Sequence, residues 1–422
     1  MLDVQAVRRE FPALNESFDG RPAVFFDNPG GTQVHQSVID AMTDYMIRRN
    51  ANTHGAFTTS VRSDAVIDEA RQAAADLLGA QRDEVVFGNN MTSLAFALSR
   101  ALAHEVGPGD EVVVTRLDHD ANIMPWVRMA EDAGATVRWA DVDMETCTLD
   151  MDHLRSLINA RTKLVAVGYA SNAAGTINDV ATVIRWAHEA GALAFVDAVQ
   201  YAPHGPIDVQ ALGCDFLVSS AYKWYGPHQG VLWGREDLLQ TLPVWKLEAA
   251  GNDSPNRWET GTQSHEGQAG CIGAVEYLQW VGQEFGGEFR GAAPAGCSAR
   301  TADLHSAMRA MAAYEESLSE RLITGLRAID GVEIRGITNL ERLSHRVPTV
   351  SFTRPGLDNT AVARHLADHN VYVWSGHNYA LPVVDALGIR DTGVVRVGPT
   401  HYNTLEEIDT LLALVADVVA AH

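Results

Sequence analysis

From about Phe25 to Trp280 the chain alternates short apolar runs with stretches of helical period. The runs are Glu84-Val85-Val86-Phe87, Glu111-Val112-Val113-Val114, Lys163-Leu164-Val165-Ala166-Val167, Leu193-Ala194-Phe195-Val196 and Phe216-Leu217-Val218. Uninterrupted apolar runs of this length, bounded by turn residues, read as strands buried on both faces. Between them lie amphipathic segments such as 180–190, so the pattern predicts an α/β fold with a mainly parallel sheet sandwiched by helices. In such a sheet ligands belong at the carboxyl edge. Farther on, 282–297 is rich in Gly and Ala with little periodicity and reads as a flexible surface loop rather than an active-site lid. A long helix over about 301–329 follows. Strand candidates Val332-Glu333-Ile334 and Thr349-Val350-Ser351-Phe352, a helix over 361–369, and a last helix starting at the capping box Thr404/Glu407 then outline a small C-terminal α/β domain.

Several of the runs end in residues with chemistry. Cys214 to Tyr222 leads into Lys223 just before the turn Trp224-Tyr225-Gly226-Pro227. A lysine at a buried strand end loses hydration, which favours a neutral, nucleophilic amine suited to Schiff-base formation; taken alone it also fits an ordinary strand terminus. The run Gly191 to Val196 ends in Asp197, and a buried carboxylate demands a cation such as a protonated pyridine nitrogen. In Phe87-Gly88-Asn89-Asn90-Met91-Thr92-Ser93 a strand end passes into a helix, so backbone N–H groups and the Thr92 hydroxyl converge as a phosphate site or as a plain helix cap. His119, in Asp118-His119-Asp120-Ala121-Asn122, follows another run and suits either stacking on a flat ring and proton transfer or a solvated loop.

Composition narrows the field. A chain of 422 residues, 46 % of them hydrophobic, has room for a large domain and a smaller one. The formal charge of −22 disfavours nucleic acid and anionic membrane surfaces as partners. No signal-like or spanning apolar segment is visible, and the four scattered cysteines lack CxxC spacing, so the expectation is a cytoplasmic protein with reduced thiols and no metal site.

Together these segments resemble the class V (NifS-like) aminotransferase and cysteine desulfurase family of pyridoxal 5'-phosphate (PLP) enzymes of fold type I, and most closely its SufS-type branch. The resemblance runs from Phe25-Phe26-Asp27-Asn28 to Tyr402-Asn403-Thr404. It implies that Lys223 forms the covalent bond to PLP, that Asp197 pairs with the ring nitrogen, and that Gln200 and Asn172 hydrogen-bond the ring hydroxyl. His119 would stack on the ring, and Met91, Thr92, Ser220 and Tyr222 would surround the phosphate. Thr262, in Arg257-Trp258-Glu259-Thr260-Gly261-Thr262, would reach the phosphate of a neighbouring subunit, implying a homodimer with shared active sites. Arg396 would grip the substrate α-carboxylate, with Asn28 and His54 nearby. The implied domains are a large PLP-binding domain, 21–285, and a small domain formed by 1–20 with 300–422.

Departures from the family pattern bear on the reaction. The loop that carries the desulfurase cysteine reads Trp374-Ser375-Gly376-His377-Asn378-Tyr379-Ala380, with Tyr379 at the cysteine position; Trp374 and Gly55 stand where arginines are usual. A phenol cannot hold a transferable persulfide. The resemblance therefore implies a small-molecule amino-acid substrate and C–S or C–Se β-lyase chemistry without a persulfide relay, with Tyr379, His377 or His119 protonating the leaving group. Alternatives are a class V aminotransferase or amino-acid epimerase, and a non-catalytic PLP-fold binding protein.

Overall fold

In the computed structural model, which describes residues 2–421, the apolar runs become neighbours in one seven-stranded sheet. Met1 and His422, the outermost residues of the expected small domain, lie outside the described residues. The strands are β1 (Val85–Gly88), β2 (Glu111–Thr115), β3 (Thr136–Ala140), β4 (Thr162–Gly168), β5 (Leu193–Asp197), β6 (Phe216–Ser220) and β7 (Gly230–Gly234), in the spatial order β1-β7-β6-β5-β4-β2-β3. Only β7 runs against its neighbours; the other strands share one direction.

Successive side chains along each strand feed two separate cores. Val85, Phe87, Val165, Val167 and Leu217 pack on one face, whereas Val86, Leu164, Ala166, Phe216 and Val218 pack on the other. The first face is covered by α1 (Gln36–Arg48), α2 (Thr58–Leu78), α5 (Val180–Glu189), α6 (His265–Phe285) and α7 (Ala299–Arg327); the second by α3 (Met91–Leu102) and α4 (Met124–Ala133). Burial on both faces is why the runs contain no alternation of polar residues. Strands β3 and β7 escaped the sequence pattern for opposite reasons. β3 is a half-exposed edge carrying Arg138, and β7 is a short run bounded by Gly230 and Gly234.

A second, antiparallel sheet is built from β8 (Glu333–Arg335), β9 (Val350–Thr353), β10 (Trp374–Gly376) and β11 (Val394–Val397), ordered β8-β9-β11-β10. Its core is shared with the C-terminal half of α7, α8 (Asn359–Ala367) and α9 (Leu405–Ala420), the last opened by the Thr404/Glu407 capping box. The N-terminal segment reaches this region: Arg8 bonds Tyr402 O at 2.6 Å and pairs with Glu407 at 2.8 Å.

The expected loop 282–297 is corrected in part. Gly282 to Phe285 complete α6, because Gly282 lies where a Cβ would stand 1.9 Å from Asp303 O, and the missing side chain lets α6 and α7 touch. A 3₁₀ turn, Gly287–Ala292, follows and is tied to α7 by Arg290 and Asp303 at 3.0 Å. Among the described residues no helix is long and apolar enough to cross a membrane.

Candidate active site

The carboxyl edge of the large sheet gathers the chemistry. β5 ends on Asp197, β6 turns through Ala221–Lys223, β2 leads to His119, and the loop after β4 carries Asn172. A cavity opens there, walled by Met91, Thr92, His119, Asn172, Asp197, Gln200, Tyr222 and Lys223. Eight of the expected cofactor residues thus surround one space.

Lys223 is buried, and its Nζ bonds Gln200 Oε1 at 3.3 Å. Burial, reinforced by the Arg396 charge, pulls its pKa down to about 7. Asp197 is buried too, and burial pushes it up to about 6 despite the attraction of Lys223. Its carboxylate accepts one hydrogen bond, from Val199 N–H at 2.9 Å, and has no ion pair within 4.0 Å among the described residues. A carboxylate so placed calls for a cation in the cavity.

Asp118 is the site residue that sequence reasoning passed over as a loop flank. It is wholly enclosed, accepting from Gly168 N–H at 2.8 Å and Asn122 Nδ2 at 3.0 Å, and burial with the Asp197 charge raises its pKa well above the carboxylate range. Burial and the neighbouring Asp197 charge both act against ionisation of Asp118. Its position just past the end of β2 was the available signal.

His119 accepts Ala121 N–H at its Nδ1 (3.0 Å), and burial, with the charges of Lys223 and Arg396, pulls its pKa down to about 3. The ring is neutral and keeps its proton on Nε2. On the opposite wall α3 begins at Met91. Met91 N–H bonds Ser220 Oγ at 3.2 Å and Ser93 N–H bonds the Asn90 cap, which leaves Thr92 N–H without an acceptor among the described residues. An open N–H at a helix start, beside a hydroxyl held only by a long contact to Met91 Sδ at 3.6 Å, suits a phosphate.

Arg396 sits on β11, buried, with NH1 on Asn172 O at 3.0 Å and Nε without a partner. Asn172 Oδ1 is likewise buried and unpartnered. Burial lowers Arg396 to about 10, still charged at neutral pH. These orphaned groups, the bare carboxylate and the low-pKa lysine fit PLP with an amino acid beside it.

Not every expected residue joins this cavity. Asn28 directs its Nδ2 to Gly398 O at 2.6 Å and its Oδ1 to the Tyr402 hydroxyl, so it fixes the end of β11 and has no free group for substrate. His54 and Thr262 line a different, larger cavity. Tyr379 and His377 are exposed at the mouth, the Tyr379 ring lying over His119 with centroids 5.4 Å apart.

Known proteins share this arrangement of chain. The family model described as Aminotransferase class-V matches residues 24–286 and 295–411. An aminotransferase-like protein, FGM3, of Gibberella zeae is 35 % identical over 97 % of both chains. A probable cysteine desulfurase of Mycobacterium leprae is 33 % identical over 98 % of this chain, which spans 65 % of that relative's length. The apo structure of a cysteine desulfurase from Thermococcus onnurineus NA1 superposes with a TM-score of 0.87 at 29 % identity, covering 100 % of this chain and 99 % of that one. With fold and sequence in agreement, the chain belongs to the class-V aminotransferase family of PLP-dependent enzymes.

Proposed function

We propose that the chain takes a cysteine-like amino acid and expels a sulfur or selenium substituent from its β-carbon, without passing that sulfur to a cysteine of its own. The observation that carries the reading is the buried Lys223 amine, with its pKa near 7, beside the lone carboxylate of Asp197. An amine largely neutral at working pH serves as nucleophile and as base. Bound PLP supplies the electron sink that lets a proton leave Cα.

Arg396 is assigned to the α-carboxylate, through the Nε that lacks an acceptor. Lys223 takes the Cα proton. His119 is set aside as an acid because its neutral ring has no surplus proton near pH 7; it offers a flat face instead. Tyr379 or His377, at the mouth, then protonates the departing thiolate. One water is consumed, and a thiol or selenol, pyruvate and ammonium are released.

The cysteines support the missing relay. Cys147, Cys214 and Cys271 are buried, and none of the four lines the cavity. Free thiols throughout also agree with a cytoplasmic setting. His54 and Thr262, gathered away from Lys223, are assigned to the active site of a second copy in a homodimer.

Incubating the holoenzyme with L-cysteine and S-substituted cysteines tests the reading: pyruvate is expected, and its absence from every incubation removes the lyase. A second reading, transamination, is favoured by the 35 % identity to a protein named aminotransferase-like. Conversion of bound PLP to pyridoxamine phosphate marks that outcome, and exchange of the Cα proton with solvent at constant cofactor absorbance marks epimerisation.

A further inference from the structure

Two aromatic side chains close to groups of the site have large parts of their rings in water: Trp374, across the strands from Arg396, is 50 % exposed, and Tyr379, over His119, 63 %. Their positions are imposed by the fold. Trp374 on β10 is the direct cross-strand partner of Arg396 on β11, so both side chains leave the sheet on one face. The indole lies against Gly30, where an added Cβ would stand 2.4 Å from Trp374 Nε1.

Tyr379 lies just beyond β10, where Asn378 and Tyr379 both hold left-handed backbone, with φ of 50° and 57°. Non-glycine residues keep that conformation where their surroundings enforce it, most often at functional sites. Here Asn172 Nδ2 holds Asn378 O at 2.7 Å and Asp120 N–H holds Tyr379 O at 2.8 Å. Groups of the cavity wall itself therefore set the tyrosine ring over His119, with ring planes 25° apart.

We propose that Trp374 and Tyr379 clamp the distal part of the substrate, and that the site selects amino acids whose side chain ends in a flat, unsaturated, uncharged group. The proposal rests on the reading that Arg396 holds an amino acid by its carboxylate. With the carboxylate there, Trp374 stands beside the anchored end and Tyr379 beside the cofactor face, so a side chain leaving toward solvent meets apolar ring faces. Asp120, whose backbone N–H holds Tyr379 O at 2.8 Å, places a carboxylate beside this segment and disfavours an anionic side-chain end.

Titration calorimetry on the holoenzyme with L-2-amino-4-phenylbutanoate, L-glutamate and L-alanine tests the clamp. None of these carries a β-leaving group, so the result is independent of whether elimination occurs. The phenyl compound is expected to bind at least about tenfold tighter than glutamate. Trp374→Ala and Tyr379→Ala should each bring that ratio to within about threefold, whereas Trp374→Phe, which keeps a ring face, retains most of it. A ratio near one in the unmodified enzyme, or a ratio untouched by both alanine variants, overturns the proposal. Pyruvate formation without such a preference would sink the clamp and leave the lyase standing.

Discussion

At the scale of single residues the account turns on groups whose protonation the fold has displaced. Lys223, at a pKa of about 7 instead of the usual lysine value, is mostly protonated at pH 6 and mostly neutral at pH 8. The rate of PLP attachment to the apoprotein is therefore expected to climb with pH, about fivefold from pH 6 to pH 7 and about twofold more by pH 8, and then to level off, which stopped-flow absorbance would follow. A rate flat between pH 6 and 8 would show that the amine is not held where its surroundings suggest. Arg396→Lys keeps the charge but loses the planar fork, and substrate affinity should fall about 10- to 100-fold by titration. The sequence exposed Lys223 and Asp197 because each closes an apolar run, and His119 because it follows one. It concealed Asp118, since a carboxyl beside His119 and Asp120 looks solvated until β2 and β4 are seen to close over it.

At the scale of elements, a buried carboxylate welds a helix to the segment that follows Arg396 and β11. Glu315 on α7 pairs with His204 at 2.9 Å and accepts from the Thr400 hydroxyl and His401 N–H, each at 3.0 Å. Glu315→Ala leaves those groups buried and unanswered, and should cost about 3 kcal/mol in a urea titration. A loss under about 1 kcal/mol would mean that water reaches the network. The inner strands of the large sheet were legible because a doubly buried strand is apolar at every position. β10 and β11 were not, since Trp374 and Arg396 interrupt the pattern of the small sheet with residues facing the site. His204 gave no sign in sequence, its partner lying 111 positions away.

At the scale of the whole molecule, the site is closed by two sheets brought together at one seam. Val347 N–H bonds Gly175 O at 2.8 Å, and Arg346 donates to Ala174 O at 3.3 Å and Thr349 O at 2.5 Å. Thr349 in turn accepts from Gln200 Nε2 at 3.1 Å, and Gln200 meets Lys223. Gly175 has φ of 77°, and a Cβ there would stand 2.3 Å from Thr349 O. Gly175→Ala is expected to destabilise the protein by about 2 kcal/mol or more and to shift the absorbance of bound PLP, because the seam and the Gln200 contact move together. A destabilised variant with an unchanged spectrum would uncouple the two. The alternating pattern of the chain announced the large sheet, but this seam joins residues far apart in sequence and follows only from the fold. The most direct test of the whole account is borohydride reduction of the PLP-loaded protein followed by peptide mapping. A pyridoxyl adduct on Lys223 alone is the expected result, and an adduct on another lysine, or none on any, would contradict it.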